Sequence, residues 1–193
     1  VDGDNLVSIG SGDDSIDFAD GWQGNGTDWY IADGAKAGIE GSNNGDDGNA
    51  QPVTTTTLTN ITVVGPVTEG ALYFKEGGGN FTINNFYTSN VDLGVKVKDT
   101  DAEAAARIEA GALAINNIQF ADAPAGLEIT DYLGANQSFY TQGVNTGAGN
   151  GASSPDWAAG WTVGLDNSGP SGSENLAGEV TGDVTLDAGI NYQ

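Results

Sequence analysis

The sequence predicts an all-β solenoid of about five coils, each coil giving one strand to each of two or three parallel sheets, with one short inserted helix. Three observations predict it. Short apolar strands of one type recur at Ser15-Ile16-Asp17-Phe18, Gly38-Ile39-Glu40-Gly41, Ala71-Leu72-Tyr73-Phe74, Gly94-Val95-Lys96-Val97 and Gly126-Leu127-Glu128-Ile129, in steps of 23, 33, 23 and 32 residues from Ile16. A second type alternates with them at Asp28-Trp29-Tyr30-Ile31, Asn60-Ile61-Thr62-Val63, Asn85-Phe86-Tyr87-Thr88 and Asn117-Ile118-Gln119-Phe120, and three of these four copies open on Asn. Glycine is abundant, 31 of 193 residues against a usual share of about 7%, as chains of short strands and many turns require. A repeat of this length marks units that cannot bury their own apolar face and must stack. A β-sandwich competes, because its short strands also come with frequent turns. The constant order of the two strand types favours the solenoid, in which an Asn at a turn can stack on the Asn of the next coil.

Taken in order, residues 1–12 read as a short strand, Leu6 to Ile9, between turns. The segment Gly70 to Asn90 is the most legible coil. In Gly70 to Lys75, Leu72 and Phe74 alternate with Ala71, Tyr73 and Lys75; Gly77, Gly78 and Gly79 form a corner; Phe81 to Thr88 is the next strand. Insertions absorb the variable spacing: a polar loop from Gly41 to Pro52, a run of threonines at Thr54 to Thr57, and a helix over Asp99 to Gly111. Thr100 and Glu103 suggest a capping box for that helix, Gly111 its end, and Glu103 with Arg107 an i,i+4 surface pair. The coils are expected over 1–136, followed by a Gly/Asn/Ser-rich loop or linker over 137–154 and a C-terminal segment over 155–193 that ends in an alternating strand.

The net charge of −22 arises from 27 acidic residues against five basic ones. Without clustered Lys or Arg, nucleic acid and anionic membrane surfaces are excluded as partners, and divalent cations are favoured. The chain has no Cys and no His, which removes disulfides, thiol chemistry, the Ser-His triad and most zinc sites. No apolar run is long enough for a membrane-spanning helix. Val1 in place of an initiator methionine is expected of a processed or excised chain.

Asp13-Asp14-Ser15-Ile16-Asp17 followed by Asp20-Gly21-Trp22, with Trp157 to Thr162 and Thr185 to Ala188, resembles the right-handed parallel β-helix proteins of the pectate-lyase-like superfold, in particular secreted and surface proteins of Gram-negative bacteria. The resemblance implies an extracellular or cell-surface location. That superfold hosts polysaccharide lyases, which pair an Arg or Lys base with Ca²⁺-binding carboxylates, and hydrolases that need a histidine motif this chain lacks.

Candidate sites follow from the coil alignment. Asp17, Glu40, Tyr73, Lys96 and Glu128 should form one outward column, with Lys75 and Lys98 two residues further on, so that three of the five basic residues share a face. It is a possible ligand face, with Lys96 as base beside Ca²⁺ on Asp17 and Glu40, or simply a solvated row of alternating charges. Asp13, Asp14 and Asp17 in GSGDDSID, and Asp46 and Asp47 in NNGDDGN, are oxygen-rich loops suited to Ca²⁺. Trp22, Trp29, Trp157 and Trp161 are expected as buried or capping residues rather than sugar platforms. The terminal strand, with Val184, Leu186, Ala188, Ile190 and Tyr192 on one face, is expected to pair with a neighbouring subunit. The resulting expectation is a non-enzymatic secreted structural protein that polymerises with itself into a filament or surface assembly. The alternative is a polysaccharide-binding or polysaccharide-lyase β-helix.

Overall fold

Period-2 alternation needs a second layer to cover its apolar side, and the chain supplies that layer from itself by coiling. The computed structural model describes residues 1–91 and 93–120, with side chains through 116. Within them the strands are β1 (Gly3–Asp4), β2 (Val7–Ile9), β3 (Ile16–Phe18), β4 (Gln23–Ala32), β5 (Ala37–Gly41), β6 (Thr55–Val64), β7 (Gly70–Phe74), β8 (Asn80–Ser89), β9 (Val95–Val97) and β10 (Leu113–Phe120). The short strands β3-β5-β7-β9 form one sheet and the long strands β4-β6-β8-β10 the other, with β1 and β2 both paired on β4. Every pairing is parallel. Each coil passes from the short-strand sheet to the long-strand sheet and back, which makes a parallel β-helix and excludes the sandwich, whose sheets are antiparallel. The described residues hold four complete coils; the expected fifth, opening at Leu127, lies outside them, as do the linker and C-terminal segment.

The register matches the sequence alignment position for position. Ile16, Ile39, Leu72 and Val95 are partners in turn, as are Trp29, Ile61, Phe86 and Ile118. In the long sheet the ladder skips one residue per strand: Thr27 is in register with Thr59 and Trp29 with Ile61, while Asp28 and Asn60 between them are not ladder partners. Asp28, Asn60 and Asn85 adopt left-handed φ of 58°, 58° and 57°. Asn and Asp tolerate this conformation because a short polar side chain can bond locally. Here the bond runs between coils, Asn60 Nδ2 to Asp28 Oδ1 at 2.8 Å and Asn85 Nδ2 to Asn60 Oδ1 at 2.9 Å. The expected Asn stack is therefore present, and it bends each long strand so that both halves face the same core.

That core is a set of columns running along the axis. Ile39, Leu72 and Val95 face Leu58, Ile83 and Ile115, with Ile61 and Phe86 beside them, all at most 2% exposed. Full burial of such a side chain is worth about 1.5–3 kcal/mol. At the N-terminal end Phe18 stacks on Trp29 at 5.9 Å and meets Trp22 edge-on at 6.0 Å, so both tryptophans are core-facing as expected. The helix α1 (Ala102–Arg107), prolonged by a π-type turn over Ile108–Ala112, is shorter than the sequence suggested. Its cap is Asp101, whose side chain accepts from the Ala104 N–H at 2.8 Å, not Thr100. Glu103 and Arg107 do not pair with one another as expected; both tie α1 to the coils beneath. Glu103 accepts from Asn49 Nδ2, while Arg107 donates to the carbonyls of Gly77 at 2.7 Å and Gly48 at 2.9 Å. These turns lie so close that a Cβ on Gly77, already at φ +79°, would stand 2.2 Å from the Gly48 carbonyl oxygen.

Candidate functional site

The short-strand sheet brings Asp17, Glu40, Tyr73 and Lys96 into one column, each in register with the next. The backbone ladder continues past the strands, Ser42 N–H to Phe18 O, Lys75 N–H to Gly41 O and Lys98 N–H to Phe74 O, so Ser42, Lys75 and Lys98 sit two residues along. Parallel stacking sets like charges about 4.8 Å apart between coils, and the way this column accommodates them defines the site.

The column is not the solvated row that the sequence also allowed. Glu40 is 3% exposed and Tyr73 6%. A carboxylate that buried must be paired and fully hydrogen-bonded. Glu40 meets both conditions: Lys75 Nζ stands 2.8 Å from Oε2, and Ser42 Oγ donates to Oε1 at 2.7 Å. The third partner is Asp14. It lies in the turn before β3, its Oδ1 accepting the Ala37 N–H at 2.7 Å, and its carboxyl hydrogen-bonds to Glu40. Two carboxyls in such contact cannot both ionise freely. Burial, and then Glu40, push Asp14 up to about 7. Burial pushes Glu40 upward too, but the hydrogen bonds from Asp14, Lys75 and Ser42 outweigh it and hold Glu40 below its ordinary range. Below about pH 7 the shared proton therefore resides on Asp14, and Glu40 carries the charge. Asp17, one rung from Glu40, is raised by burial and by the charges of Glu40 and Glu76.

Lys75 is desolvated, which favours loss of its proton, yet Glu40, Asp14 and Glu76 hold its pKa well above the usual lysine value. A lysine so fixed as a cation is no base. The Tyr73 ring is flanked by two ammonium groups, Lys96 Nζ 4.6 Å and Lys75 Nζ 5.8 Å from its centroid, within cation–π range.

The structure thus gathers Asp14, Asp17, Glu40, Tyr73, Lys75 and Lys96. Lys98, although in ladder register with Lys75, faces a neighbouring cleft of about 470 Å³, shared with Asn44, Asp46, Glu76, Asp101 and Glu103. Asp13 is exposed and ion-paired with Lys36. Asp46 and Asp47 lie apart, in a turn where Asn44 Oδ1 accepts both their backbone N–H groups and Asp47 Oδ1 accepts that of Asn49. Among the described residues no group of three or more Asp, Glu, His or Cys side chains is placed to hold a metal ion by itself. Val184, Leu186, Ala188, Ile190 and Tyr192, like Glu128, lie outside the described residues. No helix among the described residues is long and apolar enough to cross a membrane.

Two partners escaped the sequence reading. Ser42 looks like an ordinary loop serine, and Asp14 was read as a cation ligand. Extending the alignment of Asp17 with Glu40 back by three residues sets Asp14 opposite Ala37, the contact the structure shows. Asn43, fully buried, was also unremarked: its Nδ2 donates to the carbonyls of Gly48 and Ala50 and its Oδ1 accepts from Thr54 N–H, which shapes the loop beside the site.

The family model described as a pectate-lyase-like β-helix domain matches residues 1–162. No curated protein and no solved structure matches the chain.

Proposed function

The chain belongs to the family of pectate-lyase-like β-helix domains, and from that premise we propose that it is a secreted or cell-surface polysaccharide-binding β-helix whose short-strand sheet is the contact face. The observation that carries this reading is the in-register column of Asp17, Glu40, Tyr73 and Lys96 with its proton-holding neighbour Asp14. Sugar hydroxyls both donate and accept, so the exposed Asp17 carboxylate and the half-buried Lys96 ammonium, at the two ends of the column with buried Glu40 and Tyr73 between them, can both bond to them. Hydrogen bonds to charged groups are the stronger kind. The interior half of the network, Glu40 with Lys75 and Ser42, fixes the positions of the accessible groups and reduces the ordering cost of binding.

Cleavage is a different matter. Lyase chemistry needs a lysine or arginine able to take a proton; Lys75 is held as a cation by the buried carboxylate against it, which leaves Lys96 as the base to test on this face. We read the protein as binding without turnover. Titration of a panel of neutral and uronic-acid polysaccharides, followed by calorimetry and by ultraviolet absorbance for unsaturated products, tests this. Binding that weakens about tenfold in Lys96→Ala, with no products, is expected; product formation abolished by that substitution would overturn the non-catalytic reading.

Self-assembly is a second reading, favoured by one observation. The short-strand sheet ends at β3, and beside it lies an apolar pocket of about 210 Å³ lined by Leu6, Ile16, Phe18, Trp22 and Trp29. The terminal segment 184–193 of a second copy would suit that end of the solenoid. Polymers seen by electron microscopy that disappear on deleting 184–193 would support it; a monomer at every concentration would sink it.

A further inference from the structure

The outer surface of the long-strand sheet has the opposite character. Before the Asn bend, alternate residues of β6 and β8 point away from the core: Thr55, Thr57 and Thr59 on one coil, Asn80, Thr82 and Asn84 on the next. They are exposed or half-buried, while Leu58, Phe81 and Ile83 between them are at most 1% exposed. The register places Thr55 beside Asn80, Thr57 beside Thr82 and Thr59 beside Asn84. Gln23, Asn25 and Thr27 extend the three columns on β4, and Ala114 and Asn116 on β10. The result is a flat lattice of hydroxyl and amide groups, about 4.8 Å apart between coils and about 6.6 Å apart along each strand.

Two features separate this lattice from an ordinary solvated face. In a protein of net charge −22, none of its eleven positions is charged. It is also ordered in advance. Thr is stiff about χ1, Thr55 Oγ1 donates to Val53 O at 2.9 Å, Asn80 Nδ2 donates to Thr55 Oγ1 at 3.3 Å, and Asn116 Nδ2 donates to Asn84 Oδ1 at 2.9 Å. Among the described residues carboxylates approach it at its borders, Asp2 accepting from Asn25 at the N-terminal rim and Asp28 accepting from Asn60 at the bend.

We propose that this lattice is a second binding surface, for an extended neutral polysaccharide lying along the solenoid axis. An uncharged surface within an acidic protein is where an uncharged polymer meets least competition from ion hydration, and polyanions gain nothing there. One sugar unit of an extended chain spans about one coil, so each can bond to the same column. With no aromatic ring among the outward positions, the contact is hydrogen bonding over many rungs, weak at each and additive along the chain. The proposal rests on the polysaccharide reading above but assigns a different face and a different class of glycan.

The test uses soluble neutral β-glucan, β-mannan and xylan as probes, with polygalacturonate as the anionic comparison, measured by affinity electrophoresis on the full chain. Thr57→Lys with Thr82→Lys places two charges in the middle column, and Thr57→Val removes one hydroxyl at nearly constant shape, so that folding is not in question. At least one neutral glycan is expected to bind, at least tenfold more weakly in the double variant and a few-fold more weakly in Thr57→Val, with polygalacturonate binding no weaker in either variant. Neutral-glycan binding insensitive to both threonine variants would overturn this proposal and leave the short-strand face standing. Failure of every polysaccharide to bind would overturn both.

Discussion

The two outer faces of this solenoid obey one geometric rule and answer it in opposite ways. Each stacks a residue on its counterpart in the next coil about 4.8 Å away. On the long-strand sheet the counterparts are neutral Thr, Asn and Gln, which repeat without penalty and can bond to one another. On the short-strand sheet the counterparts are ionisable, and two adjacent acids, Asp17 and Glu40, would repel. The repulsion there is met by a lysine, a serine and a protonated aspartate drawn from neighbouring turns, and the column changes sign as it proceeds to Lys96. Repetition alone therefore builds a surface, whereas compensating a charge within it builds a site.

This contrast predicts that equivalent substitutions have very unequal effects on the two faces. The largest should come from Lys75→Ala. It leaves the Glu40 carboxylate, 3% exposed, without its cation, and breaking a buried pair from one side costs about 3–5 kcal/mol, readable as a lower midpoint in urea with an unchanged slope. Asn60→Ala, between the faces, removes the link from Asp28 to Asn85 and places a less tolerant residue at φ 58°, for a loss of about 1–2 kcal/mol by the same measurement.

Next is the pH response of Asp14→Asn, an amide that mimics the protonated acid. An acid whose folded pKa lies above its unfolded value holds its proton more tightly when folded. Its stabilising contribution is thus fully present below about 3.8, falls as pH rises towards about 7, and changes no further above that. Glu40, held below its ordinary 4.5, behaves oppositely, contributing stability above that pH and losing it on acidification. Thermal midpoints measured between pH 4 and 7 should therefore decline less steeply in Asp14→Asn than in the parent chain. An identical slope would mean that Asp14 is an ordinary surface acid. The smallest effect belongs to the neutral lattice: Thr57→Val should change stability by no more than about 0.5 kcal/mol, whatever it does to binding. A loss approaching that of Lys75→Ala would erase the distinction between the faces.

Much of this was legible in the sequence. The register of both sheets could be written down because Ile16, Ile39, Leu72 and Val95, and separately Trp29, Ile61 and Phe86, are apolar residues at a repeating interval, and parallel stacking turns an interval into a contact. The Asn stack was legible for the same reason. What escaped was what lies between the repeats. Asn43 opens a turn of irregular length, where sequence spacing does not fix position, while Asp14 and Ser42 keep the register but flank the strands, where period-2 alternation does not say that they turn onto Glu40. Burial of Glu40 was hidden because alternation reports which side of a strand a residue faces, not whether a neighbouring turn covers that side. The helix cap moved from Thr100 to Asp101 because α1 is anchored by Arg107 and Glu103 to turns one and two coils earlier, and those anchors set where its first turn begins.

At the centre of this account is the claim that the short-strand face is a built, proton-holding site and not a row of solvated charges. Carbon-13 NMR titration of the side-chain carboxyls tests it most directly, with Asp14→Asn as the assignment control. Asp14 should titrate near 7 while Glu40 is already ionised below its ordinary range. Two carboxyls titrating independently at their ordinary values, near 3.8 and 4.5, would contradict it.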